Sequence, residues 1–241
     1  MTKKKAVVLL SGGLDSATCL AMAADRGFEL FALSFDYGQR QKVELSAAKK
    51  IAQMAKVSEH RIIAVDYPSS AGSSLTNLDM PMDLPADHAG IGESIPNTYV
   101  PGRNTIFISL ALSWAESVQA SAVFMGASSV DYSGYPDCRP EYFDAWRGLI
   151  KLSSKASVEG SICELCTPLL YLDKAQTIKK GIELGVDYAL SISCYQADQA
   201  GKACGLCDAC LLRREGFMQA CIDDPTPYQS HDNKKPVVSA E

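Results

Sequence analysis

No apolar run in this chain of 241 residues reaches the roughly 18–20 residues that a membrane-spanning helix needs. The start, Met1-Thr2-Lys3-Lys4-Lys5, has the basic character of a secretory leader, but the apolar stretch behind it is only Ala6 to Leu10. A leader needs about 7–15 apolar residues, so the expectation is a cytoplasmic protein with no membrane partner. Lysine and arginine form no long run, and 23 basic against 28 acidic side chains give a net charge of -5. A generic electrostatic grip on nucleic acid is therefore not expected. Histidine is scarce: His60, His88 and His231 stand far apart without ligand spacing and are expected at or near the surface. Two nucleotide signatures are missing as well, the Gly-Lys-Ser/Thr ending of a Walker loop and the G-x-G-x-x-G of a dinucleotide fold. There is no internal repeat and no low-complexity tract.

What is present begins with alternation. Ala6 to Leu10 reads as a buried strand, Ser16 to Arg26 as an amphipathic helix, and Phe28 to Phe35 as a second strand. A second helix over Val43 to Ala55 and a third strand over Arg61 to Val65 follow. Strands alternating with helices at this spacing imply βαβ units and a doubly wound parallel sheet of the α/β class. Residues 67–101 break the pattern with five prolines between Pro68 and Pro101, and read as a long functional loop or lid. Thr105 to Val118 reads as a mostly buried helix, Ala122 to Gly126 as a strand, and Asp173 to Leu184 as a helix that Gly185 ends. The expected organisation is an α/β domain over residues 1–190, a cysteine module with its helix over 191–222, and a polar, frayed tail over 223–241.

Nine cysteines is an odd number, and three fall between Cys204 and Cys210. Cys194, Cys204, Cys207 and Cys210 are spaced C-x9-C-x2-C-x2-C. Four thiolates at such gaps can wrap one tetrahedral Zn²⁺ in a closed, structural site. An iron–sulfur cluster also uses four cysteines in such runs. Cys163 and Cys166 form another C-x2-C with no second pair to complete it, and read as small residues or a surface dithiol.

Between the first strand and first helix lies Ser11-Gly12-Gly13-Leu14-Asp15-Ser16. Its glycines allow close backbone approach to a ligand, and the helix N-terminus behind offers free N–H groups and positive potential suited to phosphate. Four further segments combine charge, aromatics and turns: Asp36 to Arg40, Val100 to Asn104, Asp131 to Pro140, and Thr167 to Lys174.

The hexapeptide after the first strand resembles the pyrophosphate loop of the N-type ATP pyrophosphatases. Together with the cysteines and the four segments, in the same order from about Ala6 to Cys221, it resembles the 7-cyano-7-deazaguanine synthase family of the queuosine pathway. The resemblance implies an ATP-dependent ligase that turns 7-carboxy-7-deazaguanine and ammonia into the nitrile, releasing AMP and pyrophosphate. It implies an ATP site over Leu10, Ser11, Gly12, Gly13, Leu14, Asp15, Ser16 and Ala17, with Arg103 clamping a phosphate or the substrate carboxylate. Asp15, and Asp131 with it, would hold Mg²⁺; Ser16 and Lys174 would sit against the phosphates. Asp137 and Arg139 are the candidates for the deazaguanine edge and its carboxylate, and Tyr37, Tyr132 or Tyr135 for stacking on the ring. Partners are then the small-molecule carboxylate and ammonia, with no nucleic acid, and a homodimer is the assembly considered. The alternative is a tRNA-modifying pyrophosphatase of the thiolation or lysidine type, which would carry a basic face or an RNA-binding domain.

Overall fold

The computed structural model describes residues 3–67, 72–84, 95–128 and 134–230. Five strands, β1 (Lys5–Leu9), β2 (Glu29–Asp36), β3 (Glu59–Ala64), β4 (Ala122–Phe124) and β5 (Glu164–Cys166), form one sheet in the order β3-β2-β1-β4-β5. All four pairings are parallel, with Val7 opposite Phe31 on one side and Val123 on the other. Among the described residues seven α-helices accompany them: α1 (Leu14–Asp25), α2 (Val43–Met54), α3 (Arg103–Ser117), α4 (Pro140–Ser153), α5 (Lys155–Val158), α6 (Lys174–Glu183) and α7 (Asp208–Ala220). This is a doubly wound α/β sheet, as its alternating sequence implied.

Both faces are covered, which explains why the central strands are mostly apolar and show no regular alternation with polar residues, Ser34 being buried within β2. Val7, Leu9, Phe31, Leu33 and Phe35 point to one face and pack on Ile108, Ala111 and Trp114 of α3 and Phe143 and Trp146 of α4. Ala6, Val8, Leu10, Leu30 and Ala32 point to the other and pack on Ala17, Leu20 and Ala23 of α1 and Ala48 and Ile51 of α2. The period-two split of neighbours along one strand is the pleat itself. A smaller cluster joins Leu14 to Ala175, Ile178, Tyr188 and Phe217 and so ties α1 to α6 and α7.

Three expectations need correction. β5 was read only as a cysteine pair, yet Glu164 to Cys166 completes the sheet beside β4. Cys166 is buried there and Cys163 half-buried, so they form no surface dithiol. The helix over 103–117 is not mostly buried: Thr105, Ser109, Ser113 and Glu116 face solvent, and one stripe faces the core. The tail after Asp224 is pinned at least to Gln229, because Asp224 accepts from Arg213 Nε at 3.0 Å and Tyr228 Oη at 2.7 Å, and Ala203 and Tyr228 form a β-bridge. His60 is half-buried, with its Nε2 2.7 Å from Ser34 Oγ; His88 and His231 lie outside the described residues.

Tyr188 is the joint between α1 and α6. Its buried hydroxyl lies 2.7 Å from Thr18 Oγ1 and 3.2 Å from the Thr177 carbonyl. Gly181 makes room for it, since a Cβ there would stand 1.9 Å from the Tyr188 Oη. Gly181→Ala is expected to cost about 1–3 kcal/mol through overpacking. At roughly 2–4 °C per kcal/mol for a chain of this size, calorimetry should show a clear fall in Tm; an unchanged Tm would mean that the joint adapts freely.

Candidate active site and metal centre

β1 ends at the centre of the sheet, where the order reverses between β2 and β4, and open α/β sheets bind ligands at such a point. The loop after β1 is shaped by its own side chains. The Gly12 N–H donates to Ser16 Oγ at 3.2 Å and the Gly13 N–H to Ser11 Oγ at 3.3 Å. Gly12 adopts φ +93°, and a Cβ there would stand 2.2 Å from the Glu44 carbonyl oxygen of α2. Only glycine allows that approach. Gly126, just past β4, is also packed closely, its built Cβ standing 2.8 Å from the Asp15 carbonyl oxygen.

Asp15 is the first acid of α1, and its two carboxylate oxygens accept from Lys174 Nζ at 2.8 and 3.0 Å. Lys174 is the first residue of α6, whose start is fixed by a capping box between Asp173 and Gln176. The cap directs the lysine across to the loop, 159 residues away in sequence.

A cavity of about 250 Å³ opens at these strand ends. Leu10, Ser11, Gly13, Leu14, Asp15 and Ser16 form one side. Tyr37, Gln39, Gln41 and Glu44, from the β2–α2 connection, form a second; Arg103, Asn104 and Phe107 of α3, with Tyr135 and Cys138, form a third. Gly12 faces α2, and Ala17 is buried against the sheet, so neither lines the cavity. Tyr135 Oη is 2.8 Å from Thr98 Oγ1, and Tyr37 meets Phe107 edge-on at 5.5 Å. Arg40 lines the cavity too, yet its guanidinium donates to the carbonyls of Ser74, Asn77, Leu78 and Met80 and so holds the 72–84 stretch in place.

Other expected site residues stand elsewhere. Asp137 is buried behind the wall, where its Oδ2 accepts the Asn104 N–H at 3.3 Å at the start of α3; it does not line the cavity. Arg139 is exposed at the N-cap of α4, outside the cavity. Asp131 and Tyr132 lie outside the described residues. Cys138 lines the cavity, and burial, with Asp137 beside it, pushes its thiol up to about 12.

Sequence reasoning missed Glu44 and Ser193. Glu44 reads as an ordinary helix acid, yet its carboxylate accepts from Gln39 Nε2 at 3.1 Å inside the cavity. Burial raises its pKa from 4.5 to about 7, against the opposing pull of Gln39 and Arg103; Tyr37 is the other titratable group facing it. Between pH about 4.5 and about 7 the folded chain keeps a proton that the unfolded chain has lost. This group therefore makes stability fall as pH rises through that window. Glu44→Gln is expected to abolish that fall, so the variant gains on the wild type between pH 5 and pH 8 in urea unfolding. Parallel pH profiles would contradict the assignment.

The metal centre is compact. Cys194, Cys204, Cys207 and Cys210 are all buried, and their sulfurs lie within 4.8 Å of one another. Cys207 Sγ is 3.6 Å and Cys204 Sγ 3.9 Å from Cys210 Sγ. The backbone N–H groups of Gln196 and Cys204 donate to Cys194 Sγ at 3.2 and 3.1 Å. Cys207 caps α7 and Cys210 lies on its first turn, so the helix begins inside the module and not after it. Four buried sulfurs converging on one point can hold a metal ion.

Sheet, loop and cluster together define an α/β protein with a phosphate-type loop at its switch point and a C-terminal metal-binding module. Its family follows from comparison with known proteins: the family described as "Queuosine biosynthesis protein QueC" matches residues 5–221, and the chain belongs to it. It is similar to the 7-cyano-7-deazaguanine synthase of Coxiella burnetii (strain RSA 331 / Henzerling II), with 53% identity over 93% of this chain and 98% of the relative. The enzyme of the same name from Legionella pneumophila subsp. pneumophila is 54% identical, over 94% of this chain and 97% of its own. Among solved structures, a 4-thiouridine synthetase in complex with RNA and bound ATP aligns with TM-score 0.48 at 20% identity, covering 89% of this chain and 53% of that one. Among the described residues, no helix is long and apolar enough to cross a membrane.

Proposed function

We propose that the chain is a 7-cyano-7-deazaguanine synthase: it converts 7-carboxy-7-deazaguanine and ammonia to the nitrile and releases AMP and pyrophosphate. The observation that carries this reading is the family match from residue 5 to 221, with relatives of that name more than half identical over nearly their full length. The cavity supports it, because a phosphate loop and Asp15, paired with the buried Lys174, stand opposite aromatic and charged side chains.

The carboxylate oxygen attacks the α-phosphorus of ATP and expels pyrophosphate, giving an acyl adenylate. Ammonia adds to the carbonyl carbon, AMP leaves with the C–O electrons, and the amide remains after a proton is lost. A second ATP adenylates the amide oxygen in the same way. Loss of that AMP and of the nitrogen protons then forms the C≡N bond. Charge builds on the phosphates in each adenylation, so preorganised electrostatics should dominate the catalysis.

Ser11, Gly13 and Ser16 cradle the β- and γ-phosphates, and Lys174 stabilises the leaving pyrophosphate. Mg²⁺ arriving with ATP would bind Asp15, with Asp131 as the second acid. Arg103 is the cavity cation placed for the substrate carboxylate or a phosphate, which the exposed Arg139 is not. Tyr37 and Tyr135 are the faces on which the flat base stacks. The cysteines hold Zn²⁺. Sulfurs about 2.3 Å from one tetrahedral ion stand about 3.8 Å apart, close to the 3.6 and 3.9 Å found here. The thiolates of an iron–sulfur cluster bind separate irons and would be spread wider. We further propose free ammonia as the nitrogen donor and a homodimer as the assembly.

Release of AMP on addition of ATP, ammonia and the free base, with none on addition of tRNA in its place, tests the substrate class. Turnover that needs tRNA and ignores the free base would overturn it in favour of a tRNA-modifying enzyme.

A further inference from the structure

We propose that the metal module is the brace of the phosphate loop, and that Ser193 is the positioning residue through which it acts. α1 starts behind Gly13, which has no side chain to cap the helix. The missing acceptor comes from far along the chain: the Leu14 N–H donates to Ser193 Oγ at 3.2 Å, across 179 residues. Next to it, the Ile192 N–H donates to the Gly12 carbonyl at 2.9 Å. Residue 194, one step further, is the first cysteine of the cluster. The segment 192–194 is thus bonded to the loop at one end and to the four-sulfur centre at the other.

The same module reaches the loop by a second path. α7 carries Cys210 and has Cys207 at its N-cap position, and further along it Gly216 lies against Lys174. A Cβ at Gly216 would stand 2.4 Å from Lys174 Cγ and 2.7 Å from its Cβ, so the lie of α7 seats the lysine that reaches Asp15. Residues 195–203, between the first two cysteines, contain neither helix nor strand. An ion bonded to all four sulfurs makes that irregular segment a fixed anchor, and the anchor is one residue from the serine that caps α1.

If module and loop are coupled, a ligand on the loop must slow loss of the metal as much as the metal strengthens that ligand, since binding linkage is reciprocal. Two measurements test this. The first needs no nucleotide: amide hydrogen exchange is followed in the metal-loaded and the chelator-stripped protein. Leu14 is expected to exchange about 10-fold faster or more after stripping, a factor in the usual range of site–site coupling, with β3 unchanged. The second measures transfer of zinc to a chromogenic chelator with and without ATP. ATP is expected to slow transfer from the wild type about 10-fold, and from Ser193→Ala less than about 2-fold, at equal initial metal content. Should stripping unfold the whole chain, so that β3 exchanges as well, the second measurement decides. Unchanged Leu14 exchange in a stripped, folded protein, or full ATP protection in Ser193→Ala, would overturn the brace. This second arm rests on the ATP reading of the loop. A wild type that binds no ATP would contradict that reading and leave the exchange result to decide the brace.

Discussion

Asp15→Asn is expected to lower turnover by about 10²–10³-fold, the range found when one preorganised electrostatic group is removed from a transition state. The structure gives three reasons. Asp15 stands at the mouth of the loop on the first turn of α1, it lines the cavity, and both its oxygens hold the Lys174 ammonium. Asparagine keeps the shape but presents a single acceptor oxygen and no charge, so the ion pair with Lys174 is lost and Mg²⁺ loses its proposed ligand. The effect on folding should be far smaller, because the carboxylate side chain is 30% exposed and water can serve Lys174 in its place. Steady-state kinetics beside a thermal melt separates the two. Near wild-type turnover would remove Asp15 from the chemistry; a collapsed Tm with normal turnover per folded molecule would make the pair purely structural.

Cys207→Ser is expected to strip the metal and unfold the module. Cys207 is fully buried, stands 3.6 Å from Cys210 Sγ and caps α7. Apparent binding free energies of structural zinc in small domains are about 10–16 kcal/mol, and where the site forms only on folding that energy is folding energy. Loss of one thiolate forfeits a large part of it. The consequences should spread along α7, since Arg213 on that helix donates to Ser191 Oγ at 2.8 Å and to the Tyr188 carbonyl at 3.1 Å. Elemental analysis should find about one zinc per wild-type chain and well below that in the variant, with a large fall in Tm. Cys166→Ser, in β5 and not one of the four clustered cysteines, should keep the full metal content. A Cys207→Ser protein that retains its metal would refute the four-sulfur site.

Much of this was legible in the sequence, and the reasons are physical. β1 and β2 announce themselves because strands covered on both faces are near-continuous apolar runs, as Ala6 to Leu10 is and as Leu30 to Phe35 is but for Ser34. The cluster could be read because its ligands lie close in sequence, so spacing alone implies convergence. β5 was hidden because three residues, Glu164, Leu165 and Cys166, carry no periodicity, and only the neighbouring β4 makes them a strand. Glu44 and Ser193 were hidden for a different reason. Each resembles a solvated residue locally, and becomes part of the site only when the sheet brings α2 and the 192–194 segment against the β1 loop. Asp137 shows a role that its local surroundings did not suggest: its carboxylate accepts the Asn104 N–H at the start of α3.

The fate of the carboxylate oxygens tests the proposed reaction most directly. If each is adenylated in turn, a nitrile can form only when both have left on AMP. Substrate labelled with 18O in its carboxylate, incubated with the protein, ATP and 15N-ammonia, should give a 15N-nitrile free of 18O. Mass spectrometry should find the AMP carrying one substrate-derived 18O per molecule, with pyrophosphate as the other product. Unlabelled AMP, or ADP and phosphate in its place, would contradict it.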